Sequence, residues 1–127
     1  MIKFNQKYTA KNEAKYISDV LSLDLQSGDG KYTKLCNETL KKDANNSTPF
    51  LTTSCTHSLE MAALLLNIQP GDEVIMPSFT FVSTANAFML RGAKIIFCDS
   101  QKNNPNLDIR YVESLITKRT KCIVAVH

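Results

Sequence analysis

The segment from Phe50 to Ala87 constrains the fold most, because it predicts two consecutive strand–turn–helix units. In each unit a short, hydroxyl-rich junction, at 52–56 or 77–81, joins an apolar run to a predicted helix. Such junctions lie at the carboxyl ends of parallel strands, where open α/β sheets bind ligands. A helix N-terminus with free N–H groups attracts phosphate, and an aromatic ring beside it can cover a flat cofactor. The segment therefore predicts half of a phosphate-anchored cofactor site.

Strands and helices alternate along the rest of the chain as well. Apolar runs predict strands at 50–53, 73–76, 93–98 and 122–126. Helical periodicity fills the intervals between these strands, which indicates an α/β fold with a mostly parallel sheet covered by helices. Two further helices, at about 10–22 and 31–43, predict an N-terminal helical arm at 1–49 that packs against an α/β domain at 50–127. Because the chain stops on the apolar run CIVAVH, we expect that domain to be incomplete.

Composition excludes several classes of function. A net charge of +3 over 127 residues, with scattered lysines, does not indicate nucleic-acid binding. The four cysteines show no metal-ligand spacing, which predicts no metal site and suits a reducing cytoplasm. No apolar run reaches the length of a signal-peptide core or a membrane span. These observations predict a protein of the cytoplasm.

The first junction has two interpretations. The backbone N–H groups of Cys55 and Thr56, with the Thr56 hydroxyl, can hold a phosphate dianion, or Ser54 or Thr56 can simply cap the next helix. The glycine patterns of the P-loop and of dinucleotide sites are both absent, which weighs against a generic nucleotide-binding domain. If the second junction is extended, strand alternation predicts that Phe79 and Phe81 point to opposite sides, so that one can face the core and the other a ligand; the alternative is that these aromatics serve the core alone.

Other polar residues also allow two interpretations. His57 is expected to be an exposed helix residue paired with Glu60. His127 and Asp99 end predicted strands at the ligand edge, where each can contact a ligand or serve the fold alone. The loop Gly28-Asp29-Gly30 lets the backbone approach a ligand closely, or forms a plain helix-to-helix turn.

The predicted helix at 56–67 is apolar around most of its circumference. Leu59, Ala63 and Leu66 follow the spacing of a core-facing stripe, and Leu64 and Leu65 extend the apolar surface beyond it. We expect this helix to be buried, in part by a partner subunit.

The run TTSCTHSLEMAALLLNIQPGDEVIMPSFTFVSTANAFMLRGAKIIFCD strongly resembles the sugar aminotransferases of the DegT/StrS family. These are fold-type I enzymes that depend on pyridoxal 5′-phosphate (PLP), and the resemblance covers about 27–127. It implies the N-terminal part of the large PLP-binding domain. It also implies a homodimer that moves an amino group from glutamate to a dTDP-4-keto-6-deoxyhexose, without nucleic acid or membrane as partners.

The resemblance also implies roles for individual residues. The cofactor-binding set is Ser54, Cys55, Thr56, Phe81 and Ser83, with Phe81 stacking on the pyridine ring. The set near the sugar nucleotide is Gly28, Asp29, Gly30 and His127. In the family, the Schiff-base lysine and the aspartate that pairs with the pyridine nitrogen come after the matched segment. We therefore expect these 127 residues to bind the cofactor without being active alone. The alternative is a truncated remnant that acts only as a binding or assembly module.

Overall fold

The structure is a computed structural model that describes residues 2–3, 5–24, 27–45 and 47–126. The chain divides into two compact units, Met1–Leu51 and Thr52–His127. The helices of the first unit are α1 (Glu13–Leu21) and α2 (Lys31–Asp43). The elements of the second unit are α3 (Cys55–Leu65), β1 (Glu73–Pro77), α4 (Val82–Met89), β2 (Lys94–Cys98), α5 (Ile109–Leu115) and β3 (Thr120–Ile123). Within the described ranges, no helix is both long enough and apolar enough to cross a membrane.

Polar and aromatic contacts, rather than a core, join the two helices of the first unit. The Asp19 carboxylate accepts hydrogen bonds of 2.7 Å from both the Lys31 ammonium and the Tyr32 hydroxyl. These two bonds lower the pKa of Asp19. The rings of Tyr16 and Tyr32 lie 5.4 Å apart, centroid to centroid. In its described part this unit therefore depends on a few exposed contacts, since neither helix contains a buried residue.

The second unit is built on a parallel sheet of three strands in the order β2-β1-β3. The central strand β1 is buried along its whole length, and Val74 lies opposite Ile95 on one side and Cys122 on the other. Helices connect consecutive strands, because parallel strands need a long crossover connection. The predicted α/β class, with a parallel sheet covered by helices, is confirmed.

The predicted strand at 50–53 is wrong. These residues form no strand, and Phe50 and Leu51 are 67% and 47% exposed. A strand needs a neighbour for its backbone N–H and C=O groups, and in the described part of the chain none pairs with this segment. The hydroxyls of Thr52 and Thr53 instead bond to the start of α3. The residues at 50–53 have the β propensity that the prediction relied on, but a strand also needs a pairing partner, which propensity does not supply.

Helices cover both faces of the sheet. On one face α3 and α4 pack against the side chains of Val74 and Met76, and on the other α5 packs near Ile75, as the two-residue strand period requires. In the chain by itself only Ala63 of α3 is fully buried, because a helix on a sheet buries only the stripe that faces it. The further burial expected from a partner subunit stays a prediction.

The amino edge of this sheet is tightly closed. The N–H of Gly71 donates to the carbonyl of Gly92 at 3.1 Å, which joins the turn after α3 to the turn after α4. Gly92 has φ +85°, and a Cβ atom there would lie 2.9 Å from the Cα of Pro70. The buried Glu73 carboxylate accepts bonds from the Thr117 hydroxyl at 2.6 Å and the Arg119 guanidinium at 2.7 Å.

Candidate functional site

The carboxyl edge of the sheet brings the two junctions of the predicted site together. The chain leaves α3 and α4 through turns that are hydrogen-bonded to each other at the amino edge, and the two helices pack side by side. Their N-termini therefore both point to the opposite, carboxyl edge, where β1 ends at Pro77. The predicted neighbourhood of 52–56 and 77–81 thus follows from the topology, although only the second junction leaves a strand.

The first junction leaves two backbone donors free at the N-terminus of α3. Ser54 is the N-cap, with extended backbone, and its hydroxyl accepts from the N–H of His57 at 3.2 Å. The capping role predicted for Ser54 is therefore confirmed. Among the described residues, no acceptor pairs with the N–H groups of Cys55 and Thr56. Because Cys55 is exposed and Thr56 half-buried, both groups are accessible to an anion.

Side chains on either side of the N-cap bond to each other. The Thr53 hydroxyl lies 2.6 Å from Nδ1 of His57, and the Thr52 hydroxyl lies 2.6 Å from that of Ser58. The expected pairing of His57 with Glu60 is therefore wrong, because a hydroxyl four residues earlier offers the ring a partner. Sequence reasoning did not single out Thr52 or Thr53. The signal that would have found them is a run of hydroxyl residues leading into a serine N-cap.

The second junction presents an open aromatic surface. Phe81 occupies the N-cap position of α4 and is 75% exposed, and Phe79 is 68% exposed. The prediction that one of the two rings points to the core is wrong, because β1 ends at Pro77 and strand alternation does not continue into the bend. Ser83 lies half-buried in the first turn of α4, and Thr84 behind it is buried and bonded to the Thr80 hydroxyl at 2.9 Å.

The electrostatics of this edge favour an anion. Neither α3 nor α4 has an acidic residue in its first turn, so the positive ends of two helix dipoles remain uncompensated by side chains. Free N–H groups, a nearby hydroxyl and an exposed ring together suit a ligand that carries both a phosphate and a flat ring. The donor set of this edge therefore fits a phosphorylated aromatic cofactor.

The structure does not test the predicted sugar-nucleotide residues as part of this edge. Gly28, Asp29 and Gly30 belong to the first unit, where the positive φ of the loop, +59°, falls on Asp29 rather than on either glycine. Gly30 is the N-cap of α2. His127 lies outside the described residues. Asp99 follows β2 at the carboxyl edge, where its carbonyl accepts from the N–H of Asp108 at 2.9 Å.

Comparison with known proteins gives a consistent picture. The model of the DegT/DnrJ/EryC1/StrS aminotransferase family matches residues 7–127. The UDP-4-amino-4-deoxy-L-arabinose–oxoglutarate aminotransferase of Shewanella sediminis is 49% identical over 74 residues, which cover 58% of this chain and 19% of that protein. The GDP-perosamine synthase of Escherichia coli O157:H7 is 33% identical over 117 residues, or 91% of this chain and 32% of that protein.

Solved structures agree with the sequence matches. The sugar aminotransferase Spr1654 of Streptococcus pneumoniae, in its PLP form, superposes on this chain with a TM-score of 0.82 at 28% identity. The superposition covers 96% of this chain and 31% of the Spr1654 chain. The predicted fold, the early part of a fold-type I transferase domain, is confirmed. The chain spans between about a fifth and a third of the length of the proteins it matches.

Proposed function

Because this chain belongs to the DegT/DnrJ/EryC1/StrS aminotransferase family, we propose that its two junctions form half of the PLP site of a nucleotide-sugar aminotransferase. The observation that carries the proposal is that the N–H groups of Cys55 and Thr56, at the carboxyl edge of a parallel sheet, have no acceptor among the residues the structure describes. A site at this edge is where α/β folds bind phosphorylated ligands.

The residues of α3 would hold the phosphate. The N–H groups of Cys55 and Thr56 and the Thr56 hydroxyl donate to its oxygens, and Ser54 keeps the turn in place through its bond to His57. Hydrogen bonds to a charged acceptor are about twice as strong as neutral ones, and the dipole of α3 adds to them. Cys55 takes part through its backbone, so a small side chain is all that this position needs.

The residues of α4 would hold the ring. Phe81 would cover one face of the pyridine and shield it from water, and Ser83, two residues later in the first turn of α4, would be a further hydroxyl partner. Bound PLP supplies the carrier for the amino group and the electron sink for the reacting carbon. We assign binding and positioning to these 127 residues, and the covalent work to residues of the whole protein outside them.

We also propose a specific substrate, which family membership alone does not identify. Within the family the sequence resembles dTDP-4-amino-4,6-dideoxygalactose transaminase, which favours a dTDP-4-keto-6-deoxyhexose as amino acceptor and glutamate as donor. Gly28, Asp29, Gly30 and His127 would then contribute to sugar-nucleotide binding. We place the whole protein in the synthesis of a cell-surface polysaccharide of the enterobacterial common antigen type, as a homodimer in the cytoplasm. The named relatives, with UDP- and GDP-sugar names, support a nucleotide sugar as substrate class.

Two measurements test this proposal. The first compares the affinity of the purified chain for pyridoxamine 5′-phosphate (PMP) with that for pyridoxamine, which lacks the phosphate; PMP is used because it forms no Schiff base with surface lysines. We expect PMP to bind more tightly and the substitution Thr56→Val to reduce that preference. Equal affinities for the two compounds would show that the chain has no phosphate site, which would contradict the proposed function.

The second measurement addresses the reaction of the whole protein. With PLP and ¹⁵N-glutamate, we expect ¹⁵N to enter dTDP-4-keto-6-deoxyglucose, as detected by mass spectrometry, in preference to matched UDP- and GDP-keto sugars. Labelling of a UDP- or GDP-sugar instead would correct the substrate. Labelling of none, with PMP bound normally, would favour a binding module over an aminotransferase.

A further inference from the structure

We propose that Thr52 and Thr53 are positioning residues that hold the first turn of α3 in the geometry the cofactor phosphate requires. We call the two hydrogen bonds that they form, Thr52–Ser58 and Thr53–His57, the threonine clamp. This inference rests on the proposed function, since it assigns a role to residues that do not themselves contact the phosphate.

The clamp spans the two free donors. Its bonds run from the two residues before the N-cap to residues of the first helical turn, so Cys55 and Thr56 lie between the joined ends. The Thr52 hydroxyl also donates to the carbonyl of Ser54 at 2.7 Å. The Ser58 hydroxyl lies within 3.5 Å of the same carbonyl, so both hydroxyls converge on the N-cap residue. Together these bonds restrict the backbone on both sides of the N-cap.

The local fold explains why a clamp is needed here. At most strand-to-helix junctions the strand ladder fixes the chain that enters the helix, but residues 50–53 pair with no strand in the described part of the chain. Helix ends fray, and a binding site works best when its donors are fixed before the ligand arrives. Within the described residues, the side-chain bonds to the first turn of α3 are the contacts that fix this entry to the helix.

The experiment separates positioning from a purely structural role. Affinities for PMP and pyridoxamine are measured for the unsubstituted chain and for Thr53→Val, His57→Ala and Thr53→Ser. From the usual worth of one hydrogen bond, we expect Thr53→Val and His57→Ala to weaken PMP binding about 2- to 10-fold. Thr53→Ser keeps the hydroxyl and should stay within about twofold of the unsubstituted chain. Pyridoxamine binding should change in none of them.

Amide hydrogen exchange of the ligand-free chain provides a second readout. The N–H groups of His57 and Ser58, which both donate to Ser54, should exchange faster in Thr53→Val than in Thr53→Ser, while the β1 amides stay unchanged. The double variant Thr53→Val/His57→Ala should be no worse than either single variant, because both remove the same bond.

Each result has a defined meaning. If Thr56→Val weakens PMP binding but Thr53→Val and His57→Ala do not, the clamp is wrong and the proposed function stands. If the unsubstituted chain binds PMP no better than pyridoxamine, the proposed function is wrong, and the clamp as a device for the phosphate is wrong with it. If pyridoxamine binding falls along with PMP binding, the two threonines serve the fold alone, which also overturns the proposal.

Discussion

The two edges of the parallel sheet differ in the burial of their side chains and in the pairing of their polar groups. At the amino edge, Glu73 is 2% exposed and bonded to two side chains, and Gly92 lies against the backbone of Pro70. At the carboxyl edge, Phe81 is 75% exposed and the N–H groups at the start of α3 have no partner among the described residues. Both edges belong to the same strands and helices, so differences in sequence between the turns produce the contrast.

The contrast indicates that the amino edge stabilises the unit and that the carboxyl edge binds the ligand. Turns at the amino edge bring chain segments into contact and satisfy their own polar groups, which fixes the positions of α3 and α4. The junctions at the carboxyl edge leave donors and an aromatic ring open, at a cost in stability that the closed edge offsets. Substitutions at the amino edge should therefore change unfolding, and those at the carboxyl edge should change ligand binding.

The largest expected effect is that of Gly92→Ala. A non-glycine residue at positive φ costs roughly 1–2 kcal/mol, and forcing a Cβ atom against Pro70 costs about 1–3 kcal/mol more. Urea unfolding should show a loss of about 2–5 kcal/mol. Gly71→Ala is the matched control, because Gly71 also has positive φ, +90°, but nothing lies within 4 Å of the added atom. Equal losses for both variants would show that the contact with Pro70 does not matter.

A smaller effect on stability is expected when Glu73 is protonated at low pH. The hydrogen bond from Thr117, and then the positive charge of Arg119, lower the pKa of Glu73 in the folded chain. The unfolded chain therefore takes up the proton at a higher pH, so this group's stabilisation is complete above the unfolded pKa and is lost as pH falls through the folded one. Glu73→Gln should lower stability at pH 7 and flatten the decline below about pH 4.5, the ordinary range of a glutamate.

The control for this prediction is Glu113→Gln, which alters an exposed glutamate on α5. Its stability curve between pH 3 and 7 should follow that of the unsubstituted chain. An acid decline that persists unchanged in Glu73→Gln would mean that the buried carboxylate is not the group that titrates.

The smallest effect on stability is expected at Phe81. Because the ring is largely exposed, Phe81→Ala should change the free energy of unfolding by no more than about 0.5 kcal/mol. The same substitution should weaken PMP binding by roughly 0.5–1.5 kcal/mol, the worth of an aromatic pair. Phe79→Ala serves as the control, with a similarly exposed ring two residues earlier. If Phe79→Ala weakens binding and Phe81→Ala does not, the ring-covering role belongs to the other phenylalanine.

The sequence predicted elements better than contacts. The run Glu73–Met76 was recognisable as a buried strand from its apolar residues, and the helix that follows 77–81 from its periodicity. The predicted strand at 50–53 is wrong, because strand formation depends on a partner distant in the sequence. The prediction that Phe79 or Phe81 points to the core is wrong, because both rings lie beyond the end of β1, where strand alternation does not apply.

The site was predictable to a similar degree. The backbone donors of Cys55 and Thr56 follow from a serine N-cap and a helix start, both visible in the sequence. The partner of His57 was not visible, since Thr53 and Glu60 both lie within its reach and side-chain geometry decides between them. The part played by Gly28, Asp29 and Gly30 stays a prediction.

The central claim, that backbone N–H groups at the start of α3 hold the cofactor phosphate, is tested most directly by Cys55→Pro against Cys55→Ala. Proline suits the first helical position and Ser54 already has the extended backbone that precedes a proline, so the helix should form while one donor is lost. We predict that Cys55→Ala binds PMP within about twofold of the unsubstituted chain and that Cys55→Pro binds it at least about tenfold more weakly, with pyridoxamine binding unchanged. Equal PMP affinities for the two variants would contradict the claim.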